Sequence, residues 1–422
     1  MSFVLKENKN IGEKYYYTKH KSGLDVYVFP KKMGTAYAAF ATKFGSIDNV
    51  FSLDGRKIEL PEGVAHFLEH KMFENSDGRD TFELYAKTGA SANAYTSNNR
   101  TVYLFSCADN IYESLDILLS FVRDPYFTEK TVEKEQGIIG QEIKMYDDNP
   151  DWQLYFGMLQ ALYKNNPLKL DIAGTVESIA KITPEILFDA YNTFYNLENM
   201  VLVVAGDVDK EKVAEVCDRI LEYKQAPKTE RIYPDEPKEV NLSEVSKKMT
   251  VSMPMFSVGI KDNDVPLSGK SLAKKRAAYG IALDLMFSKS SPFYERLIDA
   301  GLIDSSFSFS YEAHETFGYA ELSGNSENPK GVYEEILKEI AYYKEKGFDK
   351  EAFERIKRAN YAHILRLFDS TDEIANEMVS AVFDGLCILD YPEICASVTL
   401  EDVTELVKHG FEHTALSHIY PL

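Results

Sequence analysis

Cysteine is scarce in this 422-residue chain: Cys107, Cys217, Cys387 and Cys395 are the only ones, and no two form a CxxC pair. Thiols so few and scattered exclude a disulfide framework and predict ordinary reduced side chains. Long apolar runs are missing too. No stretch approaches the roughly 18 uninterrupted apolar residues of a membrane-spanning helix. The opening MSFVLKENKNIGEKYYYTKH has no apolar core of the kind a secretory signal needs. These absences predict a cytoplasmic protein with no membrane partner. Positive charge is in deficit, with 47 Lys+Arg against 67 Asp+Glu for a formal net charge of −20. A surface so negative repels a phosphate backbone, which argues against nucleic acid as a partner.

What is present suits large cores. Hydrophobic residues make up 45%, aromatic residues 13% and charged residues 27%, the proportions of a globular chain long enough for two or three domains. Near the middle, Gln225 to Val240 (QAPKTERIYPDEPKEV) has three prolines, alternating charges and no apolar period, the marks of a linker. The sequences on either side resemble each other. Gly63-Val-Ala matches Gly280-Ile-Ala at an offset of 217 residues, and ITPEILFDAYNTFY from Ile182 matches VTLEDVTELVKHGF from Val398 at 216. Each of the latter pair opens with a threonine suited to a helix N-cap and leads into an apolar, strand-like stretch. Two copies of one domain of about 200 residues are therefore expected: residues 1–226, a linker over 227–240, and residues 241–422. Strand-like runs (LDVYVF, AYAAFATKFG, TVYLFSC; later KMTVSMPM, FGYAELSG) accompany long amphipathic helices, and several follow one another with no helix between them. This predicts an α+β fold of two tandem homologous domains, each a largely antiparallel sheet covered by helices.

The sharpest chemical signal is His66-Phe67-Leu68-Glu69-His70. On a helix, side chains four apart point within about 40° of each other, so both imidazoles reach one metal. Glu69 stays near that face, placed to take a proton from water without being a ligand. With 8 histidines in 422 residues, chance produces this motif in about one such chain in a hundred. A catalytic zinc needs a third protein ligand and an open position. The helical run TEKTVEKEQGIIGQEIKMY from Thr128 offers Glu129, Glu133, Glu135 and Glu142. Glu135 and Glu142 share a face, and the small Gly140 suggests close packing, but spacing alone does not choose among the four.

HFLEH, followed about seventy residues later by EQGIIGQE, resembles the insulinase and pitrilysin family of zinc peptidases, the inverzincins. GASANAYTSNNRTVYLF and FYNLENMVLVVAGDV are also similar to family segments, and the half-length bacterial members akin to mitochondrial processing peptidase subunits are the most similar in kind. The resemblance implies one Zn2+ per chain, with His66, His70 and Glu142 as ligands, Glu69 as general base and Glu135 as a supporting carboxylate. It implies that Asn93 and Ala94 lie on an exposed strand edge that pairs with a peptide substrate's backbone, so that main-chain bonds carry affinity. The implied activity is zinc-dependent endopeptidase or oligopeptidase chemistry. The rival is a noncatalytic assembly subunit of the same fold, against which the intact HxxEH weighs.

The second half is expected to hold no metal. At the offset of 217, the residues opposite His66, Glu69 and His70 are Leu283, Met286 and Phe287, an apolar set suited to a core. A second HxxEH, His409 to His413, is read as a decoy. Gly410 falls where its helix should end, and only nine residues follow. The resemblance also implies an Arg and a Tyr in the second domain that hold substrate near the metal. The matching stretch Leu297-Ile-Asp-Ala-Gly-Leu-Ile-Asp304 has Ile298 and Asp304 at those positions, with Arg296 and Tyr311 nearby but out of register. The expected partner is a homologous subunit carrying the Arg/Tyr pair, in a heterodimer, or a second copy in a homodimer.

Overall fold

The computed structural model describes residues 2–422. In the first half, β1 (Val4–Asn8), β2 (Glu13–Lys19), β3 (Asp25–Pro30) and β4 (Ala36–Thr42) precede a short hairpin of β5 (Val50–Leu53) and β6 (Arg56–Glu59). A second hairpin of β7 (Ser91–Thr96) and β8 (Thr101–Cys107) follows, and β9 (Met200–Gly206) returns after a run of helices. Seven of these strands form one sheet in the order β1-β2-β3-β9-β4-β8-β7, with β3 and β9 its parallel pair. β10 (Thr229–Arg231), in the connecting segment, joins β5 and β6 in a small separate sheet.

The second half has β11 (Glu244–Met249), β12 (Met255–Lys261), β13 (Ser308–His314), β14 (Phe317–Asn325) and β15 (His413–Pro421). Their order is β11-β15-β12-β14-β13, with β11 and β15 parallel. Strand for strand this repeats β3-β9-β4-β8-β7, so the sequence duplication is a duplication of topology. The helices matched at an offset of 216 are Pro184–Phe194 and Leu400–Gly410, capped by Thr183 and Thr399 side chains that accept from backbone N–H groups. KMTVSMPM, expected as one strand, instead spans a break. β11 ends at Met249 and β12 starts at Met255, after Pro254, which has no N–H to give a ladder.

The central strands of the seven-stranded sheet are buried on both faces, which is why β4 (AYAAFAT) and β9 (MVLVVAG) read as nearly unbroken apolar runs. One face of the first sheet (Val26, Val28, Phe40, Phe105) packs on helices of its own half. The other (Phe29, Ala39, Val201, Val203) packs on Ile374, Met378 and Val379 of the Thr371–Phe383 helix, which belongs to the second half. Reciprocally, the Pro150–Leu162 helix of the first half lays Phe156, Met158 and Leu162 with Phe317, Tyr319 and Ala415 of the second sheet. Glycine permits that approach: a Cβ on Gly259 would lie 2.7 Å from Leu162 Cδ1, and one on Gly157 2.6 Å from Ser417 Oγ.

The segment expected as a linker is tied to both halves. Arg231 and Tyr233 bind the Asp48 carboxylate at 2.8 and 2.6 Å. Glu236 accepts from the backbone N–H groups of Lys164, Asn165 and Asn166 and from buried Lys261. No helix among the described residues is long and apolar enough to cross a membrane.

Candidate metal centre

HFLEH lies on the Val64–Lys71 helix, whose start depends on Gly63. Gly63 has φ +88°, and a Cβ there would fall 2.4 Å from Ala173 O. One turn of helix brings the His66 and His70 rings to a centroid separation of 4.6 Å. The Glu129–Asp147 helix, capped by Thr128, lies against it and presents Glu135 and Glu142 from one face, whereas Glu129 and Glu133 are exposed to solvent. Gly140 is buried, yet a Cβ there would meet no atom within 4 Å, so close packing does not require it.

His66 Nε2 lies 3.7 Å from Glu142 Oε1, and His70 Nε2 lies 3.5 Å from Glu142 Oε2. One ligand atom from each of the three residues falls within 4.8 Å of the others. These gaps, to the two different oxygens of Glu142, are long for hydrogen bonds and close to the roughly 3.3–3.6 Å that separates donors standing about 2.0–2.2 Å from a tetrahedral zinc. Two imidazoles and a carboxylate are also the chemistry of a zinc site with an open fourth position, so the residues fit that metal. The His70 ring is fixed from behind by Glu135 Oε1, 3.1 Å from Nδ1. Tyr146, one turn beyond Glu142, donates its hydroxyl to Glu142 Oε1 at 2.6 Å. It stacks on Trp152 at 4.4 Å, and the Trp152 indole donates to Asp171.

Electrostatics separate the two histidines in the metal-free chain. Burial, reinforced by His70, lowers His66 to about 4. For His70, burial is outweighed by the hydrogen bond to Glu135 and the charges of Glu69 and Glu142, and its value rises. Burial would lift Glu135, but the bond from His70 holds it below the usual carboxylate range. Glu69 goes the other way: burial pushes it up, and a hydrogen bond from Thr96 only partly offsets this. That bond, from Thr96 Oγ1 to Glu69 Oε2, is 2.7 Å long.

β7, which carries Asn93, Ala94 and Thr96, is the outermost strand of the seven-stranded sheet, so one backbone edge is unpaired. Asn93 is exposed, and its Oδ1 accepts from the Ala94 N–H at 2.9 Å. Sequence reasoning missed Thr96, Tyr146, Trp152 and Asp171. Thr96 lay inside the GASANAYTSNN segment already singled out, and Tyr146 stands one helical turn after Glu142, a spacing open to inspection.

The other expectations fall outside this centre. Leu283, Met286 and Phe287 are buried in the second half's core. His409 ends its helix, 76% exposed beside Glu405, while His413 begins β15, so the two share no helical face. Arg296 is engaged by Glu339 and Glu335, and Tyr311 stacks on Tyr279 at 3.7 Å and donates to Asp262.

The family model described as insulinase, peptidase family M16, matches residues 58–176, and that of the peptidase M16 inactive domain matches residues 181–360. An uncharacterised zinc protease of Bacillus subtilis is 42% identical over 411 residues, 95% of each chain. The mitochondrial-processing peptidase subunit beta of Caenorhabditis elegans is 32% identical over 166 residues, 38% of this chain and 36% of its own. The crystal structure of an M16-like peptidase from Alicyclobacillus acidocaldarius superposes with a TM-score of 0.94 at 35% identity, covering 100% of this chain and 99% of that one.

Proposed function

Because this chain belongs to the insulinase family of zinc metallopeptidases, we propose that it is itself a working peptidase that hydrolyses peptides held by strand addition. One observation carries the reading: a donor set of buried His66 and half-buried His70 and Glu142, with a buried Glu69 beside it, hydrogen-bonded to the end of an unpaired strand edge. His66, His70 and Glu142 hold zinc, which supplies Lewis-acid activation of water and of the scissile carbonyl. Glu135 keeps the His70 ring oriented through Nδ1. Glu69 takes the proton of the attacking water on a carboxylate oxygen and passes it to the leaving amine nitrogen. Its raised value favours that shuttling, since a base closer to neutrality returns its proton more readily. Backbone groups of Asn93 and Ala94 pair with the substrate strand, the Asn93 amide swinging off the Ala94 N–H as the peptide docks.

In this reading residues 1–226 form the zinc-binding domain, 227–240 the connection and 241–422 the non-metal wall of the substrate chamber. Ile298 and Asp304 offer no guanidinium or phenol to clamp a substrate, and Arg296 and Tyr311 are committed elsewhere. The missing clamp is supplied by a homologous subunit in a heterodimer, or less effectively by a second copy.

Quenched-peptide turnover, read with zinc content, tests this on the chain alone and with a homologue carrying the Arg/Tyr pair. Glu69→Gln is expected to keep about one zinc and lose activity, and His66→Ala to lose both. Normal cleavage by Glu69→Gln would remove the mechanism. Turnover by the lone chain undiminished against that of the mixture would remove the partner.

A further inference from the structure

Strands alternate faces, and β7 places Ala92, Ala94 and Thr96 on one side, Asn93 and Tyr95 on the other. Ala92 and Ala94 pack against the core that contains the histidine helix, whereas the Tyr95 hydroxyl reaches Asn376 on the opposite face. Two alanines bring that helix close, and Thr96, next on the same face, is the first residue of the strand with a polar group to offer it. Its hydroxyl has one proton. The neighbouring Thr101 Oγ1 stands at 3.4 Å and already donates to Phe44 O at 2.9 Å, while Glu69 Oε2 stands at 2.7 Å in line to accept. The nearby Tyr103, on the adjoining strand β8, is buried and its hydroxyl is bonded to that of Tyr195 at 2.8 Å rather than to Glu69. Among the described residues, Thr96 is the sole hydrogen-bond donor to the Glu69 carboxylate.

Resting on the peptidase reading, we infer that Thr96 is a positioning residue coupling the two parts of the site: a peptide that adds to the free edge of β7 immobilises the strand end, and the Thr96 hydroxyl passes that order to Glu69. An edge strand is held by ladder bonds on one side alone, and the Glu69 carboxylate, carried by the Val64–Lys71 helix, takes its hydrogen bond from the last residue of that strand. A peptide long enough to pair along Ser91–Thr96 then raises turnover as well as affinity, whereas a short one reaches the metal beside an unsteadied base. The Thr96 hydroxyl touches neither metal nor substrate and acts through Glu69 alone.

The experiment compares the zinc-loaded wild type with Thr96→Val, which keeps shape and strand propensity, and Thr96→Ser, which keeps the hydroxyl. A nested set of quenched peptides sharing one scissile bond runs from too short to span β7 to long enough to cover it. In the wild type kcat is expected to rise with length. Thr96→Val should lose about tenfold or more of kcat on the long peptides, with KM and zinc content nearly unchanged and the length advantage in kcat gone. Thr96→Ser should restore both. Hydrogen exchange on the metal-free chain gives a readout independent of catalysis: the long peptide should protect β7 and the Val64–Lys71 helix in the wild type, but β7 alone in Thr96→Val. Cleavage of no peptide by the wild type, alone or mixed with a homologue carrying the Arg/Tyr pair, would sink the peptidase reading and leave the exchange result to decide the coupling. A Thr96→Val chain with wild-type kcat, an intact length advantage or undiminished helix protection would overturn it.

Discussion

At His66 the proposed metal-binding role meets a cost in stability. Its side chain is buried, and Nδ1 has no hydrogen-bond partner among the described residues. An imidazole in that position is poorly solvated, and with its value lowered to about 4 it stays neutral in the folded, metal-free chain while the unfolded chain takes up a proton near 6.5. This contribution to stability is therefore intact above about 6.5 and lost as pH falls toward 4. His70, raised in the fold, acts in the opposite sense, its contribution fading as pH rises. The second half carries Leu283 at the corresponding place, 1% exposed in a dry core. His66→Leu should therefore stabilise the metal-free chain by about 1–3 kcal/mol, with the gap widening from pH 7.5 to 5 because only His66 differs. Thermal melts in chelator across that range check this. Added zinc should raise the melting temperature of the wild type and leave the variant unmoved.

Among the elements, the Glu129–Asp147 helix organises the centre, with Glu135, Glu142 and Tyr146 on one face at spacings of seven and four. The Tyr146 hydroxyl restrains Glu142 Oε1, and its ring is restrained by Trp152, whose indole is held by Asp171. Tyr146→Phe keeps the stack and removes one hydrogen bond to the carboxylate. Zinc affinity, measured by competition with a chelator, is expected to fall about tenfold, with Trp152 emission, the chain's sole tryptophan signal, nearly unchanged in the apo protein. Much of this was readable beforehand. HFLEH, the helix from Thr128, the paired threonine caps and strands such as TVYLFSC are local patterns that sequence carries directly. The Thr96 bond was not, because it joins residues 27 apart through strand pairing that sequence shows only as alternation. KMTVSMPM misled because apolar content outweighed Pro254, and Gly140 because smallness suggested a neighbour that packing did not bring.

For the whole molecule, the exchange of helices decides what a domain is. A boundary near residue 226 separates two similar sequences, each with a core of its own, but cuts through two further cores that the halves share. The Thr371–Phe383 helix covers the first sheet, and the Pro150–Leu162 helix covers the second. Cutting there would strip Ile374, Met378 and Val379 from Phe29, Val201 and Val203, all buried in the intact chain. Each large side chain so exposed costs about 1.5–3 kcal/mol, and a handful exceeds the 5–15 kcal/mol that ordinarily holds a domain together. The connecting segment adds to this by tying both halves through Asp48 and Glu236. A fragment of residues 1–226 should therefore be collapsed or aggregated, lacking the zinc affinity of the full chain although every proposed ligand lies within it. Calorimetry should show the intact protein unfolding in one transition, zinc shifting all of it and not a part assigned to the first half. Two separable transitions, or a soluble 1–226 fragment binding zinc as tightly as the whole, would show that the exchanged helices are ornaments on two independent folds.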